Sequence, residues 1–171
     1  IMNMKCIGII GAMEQEISIL KQKMQDVRII KKASMDFFEG ILMGKRAVVV
    51  RSGIGKVNAG ICTQILADTF AVDAIINTGI AGSLNKNINI GDIVVSTDLV
   101  QHDVDATTFG DPIGQIPRLD TFSFPADAKL VEAARLANEE VNTDIHTFTG
   151  RVVSGDQFIA GNEKKDYLVR T

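Results

Sequence analysis

Two carboxylates, Glu14 and Glu16, stand directly behind the small residues Gly11 and Ala12 and the flexible Met13. The run before them, Cys6-Ile7-Gly8-Ile9-Ile10, is apolar and reads as a buried strand. The residues after them have helical periodicity. A chain that leaves a buried strand for a helix through small residues makes an open shelf at the strand's carboxyl end, with Ala12 on it. Open α/β sheets bind ligands there. A phosphate cradle would want glycines, bare N–H groups and a Lys. Glu14 and Glu16 would repel phosphate, so the shelf suits action on a neutral group or a water. The ordinary alternative for Glu16 is a solvated acid in the first turn of a surface helix, where negative charge suits the dipole.

Two further glycine turns fall at strand ends. They are Ser52-Gly53-Ile54-Gly55-Lys56 and Thr78-Gly79-Ile80-Ala81-Gly82-Ser83. In a parallel sheet they would reach the same edge as Glu16, and small residues there let a flat ligand approach the backbone. The first turn fails as a nucleotide loop. One residue separates its glycines, and Val57 stands where Ser or Thr must hold magnesium. It reads as the start of a helix, with Ile54 lining a pocket. His102-Asp103-Val104-Asp105 contains metal-ligand types, but the one other histidine is His146. A solvated or interface loop is the better reading, with no metal and no cofactor. Val153-Ser154-Gly155-Asp156-Gln157-Phe158-Ile159 follows the last strand. It is either a turn in which Asp156 bonds backbone amides, or a segment whose Phe158 stacks on a planar ring while main chain beside Ile159 reads the ring's edge. The second arrangement suits a purine.

These residues need elements to hold them. The pattern predicts strands at about 5–10, 73–78, 92–101 and 145–153. It predicts helices at about 13–25, 56–69 and 126–141, and a hairpin over 28–51 that turns at Gly44-Lys45. Val57, Ile61, Ile65 and Leu66 would share one face of the second helix. A polar loop covers 102–125, and 161–171 is polar and weakly helical. Strands alternating with helices indicate an α/β fold, a single domain over 2–171 with a mixed, mostly parallel central sheet covered by helices on both faces. Ile1 ahead of Met2 is set aside as foreign to the fold. The 171 residues suffice for a real core, and a net charge of −3 without a basic stripe argues against a nucleic-acid partner. No apolar run approaches ~18 residues, which argues against a membrane span. Cys6 and Cys62 have neither metal-ligand spacing nor a disulfide framework, which fits a cytoplasmic setting.

Taken in order, the motifs resemble those of the 5′-methylthioadenosine/S-adenosylhomocysteine nucleosidases, within the nucleoside phosphorylase superfamily. The matching stretches are Gly8 to Glu16, Ser52 to Val57, Asn77 to Gly82, Gly91 to Ser96, His102 to Asp105, Phe109-Gly110, Gly114 to Pro117 and Ser154 to Ile159. Each is weak alone; the ordered set is specific and spans nearly the whole chain. The resemblance implies that Glu16 is the general base that activates a hydrolytic water. It makes Met13 and Ile54 walls of the pocket for a 5′-thio substituent, and lays Ile80, Ala81 and Gly82 along the nucleoside. Phe158 would stack on adenine, and Ile159 would bond it through its backbone. Phe109 and Pro117 would be lent to the neighbour across a homodimer interface. Phosphorylases of this fold hold phosphate with an Arg and a Ser where Asn77 and Ile80 stand, so water is the expected nucleophile. Ile80 also departs from the Ser of some nucleosidases.

The family pattern continues with a strand ending in Met-Glu, whose Glu grips the ribose hydroxyls, and a later Ser-Asp that protonates adenine. Neither motif occurs in this sequence, and Thr171 stands before both. The resemblance therefore implies that the family's C-terminal strand and helix are lacking, and that these 171 residues alone turn over little or no substrate. The competing functions are a phosphate-dependent purine nucleoside phosphorylase or related nucleoside hydrolase, and a catalytically silent nucleoside-binding relative.

Overall fold

The structure, a computed structural model, describes residues 4–170. Ile1, set aside above, and Thr171 lie outside the described residues. The chain divides into two compact units, Met2–Ala81 and Gly82–Thr171.

The first unit runs β1 (Cys6–Gly11), α1 (Glu14–Lys23), β2 (Gln25–Lys32), β3 (Met35–Leu42), β4 (Lys45–Arg51), α2 (Lys56–Phe70) and β5 (Ala74–Asn77). Its five strands form one sheet in the order β2-β3-β4-β1-β5. β1 lies parallel to both β4 and β5, while β2, β3 and β4 form an antiparallel meander. Helix α1 ends at Lys23, two residues earlier than the periodicity predicts, because Gln25 already pairs with Ile41 in the meander.

The apolar runs of β1 and β4 serve two faces. Val48, Val49 and Val50 are all fully buried, as expected of a strand covered on both sides. Val48 and Val50 join Cys6, Ile10, Phe37, Cys62, Leu66 and Phe70 under α2. Val49 joins Ile17 and Met24 under α1. Each such side chain contributes about 1.5–3 kcal/mol on leaving water. The rings of Phe37 and Phe70 stack with centroids 5.2 Å apart. Helices thus cover both faces of this sheet. Half of the expected face of α2 is turned inward: Leu66 is fully buried and Ile65 packs partly buried against the core. Val57 and Ile61 are 72% and 43% exposed, and Cys62 and Phe70 take the remaining inward places. A Cβ at Gly8 would sit 3.0 Å from Leu66 Cδ1, so the glycine opens the groove into which Leu66 settles.

The second unit contains β6 (Ile93–Gln101), β7 (Phe124–Pro125), α3 (Ala128–Val141), β8 (Thr147–Ser154) and α4 (Asn162–Arg170). β6 is central, antiparallel to β7 and parallel to β8, with a register shift between Ser96 and Asp98. Arg151 of β8 pairs with Asp98 of β6 at 2.6 Å and holds its carboxyl below the usual carboxylate range. Asp127 caps α3 by accepting from the amides of Lys129 and Leu130. Buried Asn138 of α3 donates to Thr147 Oγ1 at 2.7 Å, tying helix to strand. The expected α/β class with mixed sheet and helices is present. Its parallel share is smaller than the sequence suggests, because three of the six strand pairings among the described residues are antiparallel. The loop predicted over 102–125 carries one short 3-10 turn, Thr107–Phe109, and ends in β7.

Candidate active site

The three parallel strands of the first unit end together. Gly11 is in register with Arg51, and Ile10 with Asn77. Just beyond, the Ser52 amide donates to Gly11 O and the Thr78 amide to Ile10 O, both at 2.9 Å. The loops after β1, β4 and β5 therefore leave one edge of the sheet, where the glycine turns were expected.

Glu16 belongs to this edge and is half-buried, not a solvated surface acid. Its Oε2 accepts from the Met13 amide at 2.9 Å, closing the first turn of α1. Its Oε1 accepts from the Ile80 amide at 3.0 Å, 64 residues along the chain. The carboxylate thus bridges the β1 and β5 loops. Gly79 makes this possible, since a Cβ there would lie 2.5 Å from Glu16 Oε1 and 2.9 Å from Cδ. Gly11 closes the other side, where a Cβ would meet Ile17 Cγ2 at 2.5 Å and Glu16 Cβ at 3.1 Å. Glu14 has a different task. It is exposed and forms an ion pair with Lys21, two turns further along α1.

Beside this carboxylate lies an open cleft of about 630 Å³. Ala12, Met13 and Ile54, three of the candidate residues, line it together with Glu14, Arg51 and Asn58. Glu16 is not one of its lining residues; its carboxylate turns to Gly79 and Ile80. Gly53 and Gly55 have φ of 86° and 101°, and Gly55 caps α2. The turn is the helix start predicted for it. Asn58 Nδ2 donates to Ile54 O at 2.7 Å and holds that turn. Ile54 and Ile80 are 76% and 83% exposed, so neither is a core residue. Ala81 is exposed at the end of the first unit.

The remaining candidates belong to the second unit. Gly82 opens that unit and is exposed. Phe158 is 95% exposed and Ile159 is half-buried. Phe109 is 86% exposed, and Pro117 is exposed as well. In His102-Asp103-Val104-Asp105, read from the sequence as a solvated or interface loop, the first three residues are half-buried and Asp105 is exposed. The His102 amide donates to Ser154 O at 3.0 Å, continuing the pairing with β8 one residue past the end of β6. Asp103 Oδ2 accepts from the Asp156 amide at 2.8 Å. Among the described residues, no group of three or more His, Cys, Asp or Glu is placed to hold a metal ion, and no helix is long and apolar enough to cross a membrane. Cys6 and Cys62 are buried and unpaired in strand and helix, as predicted.

Sequence reasoning missed Gly79 and Asn58 around Glu16 and its cleft, and missed the contact of Asp103 with Asp156 in the second unit. Gly79 gave a signal, standing one residue before a candidate contact. Asp103 gave none beyond its motif, because its partner lies 53 residues away.

Comparison with known proteins bears on the family. The phosphorylase superfamily profile matches residues 6–171. The 5′-methylthioadenosine/S-adenosylhomocysteine nucleosidase of Staphylococcus carnosus (strain TM300) is 46% identical over 162 residues, covering 95% of this chain and 70% of the relative. The chain belongs to this nucleosidase family. Among solved structures, the family member from Neisseria meningitidis, in complex with methylthio-immucillin-A, superimposes with a TM-score of 0.93. It is 41% identical and covers 97% of this chain and 71% of its own. The futalosine hydrolase of Helicobacter pylori strain 26695 gives 0.90 at 35% identity, with 97% of this chain and 70% of its own covered. The nucleosidase fold is thus shared with a hydrolase of a different name.

Proposed function

We propose that this nucleosidase-family chain hydrolyses the N-ribosidic bond of 5′-methylthioadenosine and S-adenosylhomocysteine, releasing adenine and a 5′-thioribose product, with Glu16 as general base. One observation carries the reading: the Glu16 carboxylate is suspended between the Met13 and Ile80 amides at the edge where the three loops leave the sheet. There it takes a proton from water as the water oxygen bonds to the anomeric carbon. The bond to adenine breaks, its electron pair leaves with adenine, and adenine takes a proton from solvent, the family's Ser-Asp acid not occurring in these 171 residues. A carboxylate also stabilises the positive charge that develops on the sugar.

Met13 and Ile54 give the cleft apolar walls suited to a thioether. Ala12, Ile80, Ala81 and Gly82 are assigned to the nucleoside, and Phe158 and Ile159 to adenine. The exposure of Phe109 and Pro117 suits residues lent to a neighbour, so we assign a homodimer. Residues 2–171 are taken as a single nucleoside phosphorylase-like domain, working in the cytoplasm in methionine salvage. The buried, unpaired Cys6 and Cys62 agree with that compartment.

The test is adenine release from 5′-methylthioadenosine in phosphate-free buffer. Release should need no phosphate, and Glu16→Gln should lower kcat at least about a hundredfold. Full activity of Glu16→Gln would refute the role of Glu16. The 171 residues alone should release adenine several orders of magnitude more slowly than a protein that also carries the Met-Glu and Ser-Asp segments. Robust turnover by the 171 residues would contradict that division of labour.

A phosphorylase is the second reading, and one observation favours it: Arg51, a cation, lines the cleft. Stimulation of adenine release by phosphate, abolished in Arg51→Ala, would establish it.

A further inference from the structure

The motif His102-Asp103 takes no part in the chemistry above, yet it makes long-range contacts to one segment. β8 ends at Ser154, and the chain then runs through Gly155 and Asp156 to Phe158 and Ile159. Three observations place His102 and Asp103 against the start of that run. The His102 amide donates to Ser154 O at 3.0 Å. The Asp156 amide donates to Asp103 Oδ2 at 2.8 Å, a charge-assisted bond. A Cβ at Gly155 would lie 2.6 Å from His102 Nε2 and 2.9 Å from Asp103 Cγ. The glycine is there because the two segments touch at that point. On the far side, Lys164 of α4 donates to Gln157. Phe158 itself is 95% exposed, so packing does not fix its ring. Its place is set by the backbone on either side.

We propose that Asp103 and Gly155 are positioning residues for adenine recognition: the Asp103 carboxylate anchors the Asp156 amide so that Phe158 can stack on the base and main chain at Ile159 can read its edge. The proposal rests on the assignment of Phe158 and Ile159 to adenine made above. It also accounts for the residue types. An acceptor with a short stem is needed at 103, and a Cβ at 155 would force the His102 or Asp103 side chain to shift. Because the anchor acts on base binding before and during reaction alike, its loss raises KM and leaves kcat nearly unchanged. Loss of Glu16 does the reverse.

Amide hydrogen exchange and 5′-methylthioadenosine binding are measured on the same protein for wild type, Asp103→Ala, Asp103→Asn and Gly155→Ala. Asp103→Ala should deprotect residues 155–159 while β1 and α2 stay protected, and should weaken binding about ten- to a hundredfold. Asp103→Asn retains an acceptor and should keep both properties close to wild type. Gly155→Ala should reproduce the Asp103→Ala result by a separate route, collision with His102. Unchanged protection at 155–159 in Asp103→Ala overturns the proposal, as does unchanged affinity alongside lost protection, or Asp103→Asn behaving like Asp103→Ala. Where unmutated protein binds no adenine nucleoside, the functional reading fails instead, and the exchange data still decide whether the anchor exists.

Discussion

Glu16 accepts one backbone hydrogen bond at each carboxylate oxygen, and its slot is closed by two glycines. A base held this way can be disabled without being touched. Gly79 does not need a positive φ, so the backbone accepts alanine there, but the new methyl group would take the place of Oε1. Gly79→Ala should therefore lower kcat about a hundredfold, the scale of effect of a displacement near 1 Å. In a Glu16→Gln background it should cost little more, because both changes remove the same function. Steady-state kinetics of the two single variants and the double variant decide this. Additive losses would mean that Gly79 acts on something other than Glu16.

Among the elements, α2 shows most plainly what a sequence pattern can and cannot specify. Leu66 is fully buried on it and Ile61 is 43% exposed, although both are large and apolar. Leu66→Ala should cost about 2–5 kcal/mol in urea unfolding, and Ile61→Lys should stay within about 0.5 kcal/mol. At the start of α3, Asp127→Ala should cost about 1 kcal/mol through loss of a cap that serves two amides. The span of α2 was readable from periodicity to within a residue. Its face was readable only in part: Ile65 and Leu66 pack inward as expected, but Val57 and Ile61 count as apolar whether or not a groove awaits them, and the groove that takes Leu66 is opened by Gly8 on another element. The same limit applies to the site. Glycines at strand ends are local signals, and the turns that carry them leave the sheet at one edge, as their placement suggested. The bond from Ile80 to Glu16 and that from Asp156 to Asp103 span 64 and 53 residues, and no spacing rule reports them.

At the scale of the whole molecule, charge pairs and buried thiols set the range of pH over which the fold is stable. Arg28 and Arg46 hold Glu39 below the usual carboxylate range, as Arg151 holds Asp98. A carboxylate lowered in the folded state contributes stability that is complete above its unfolded pKa and lost as pH falls through the folded one. The melting temperature should thus decline on acidification below about pH 4, and Glu39→Gln should flatten that decline. Burial has the opposite consequence for Cys62, whose thiol is pushed up to about 11 from the ordinary 9.0. Its neutral form is favoured by folding, so its contribution is intact below pH 9 and lost as pH rises towards 11. Cys62→Ala should weaken that alkaline dependence in urea titrations between those limits, set against a lower baseline from the cavity it leaves.

The exposed Ile54 and Ile80 at the loop edge have a consequence for how such a protein can diverge. The fold is held by Val48, Val49, Val50, Ile17 and Leu66, all buried, while Ile54 and Ile80 are 76% and 83% exposed and support none of that packing. Changes at the rim should therefore leave the melting temperature nearly untouched while altering what is accepted there. Selection acting on this scaffold meets two nearly independent sets of positions, one intolerant and one permissive. Drift through the permissive set gives a route by which this chain and a futalosine hydrolase come to share one backbone at 35% identity.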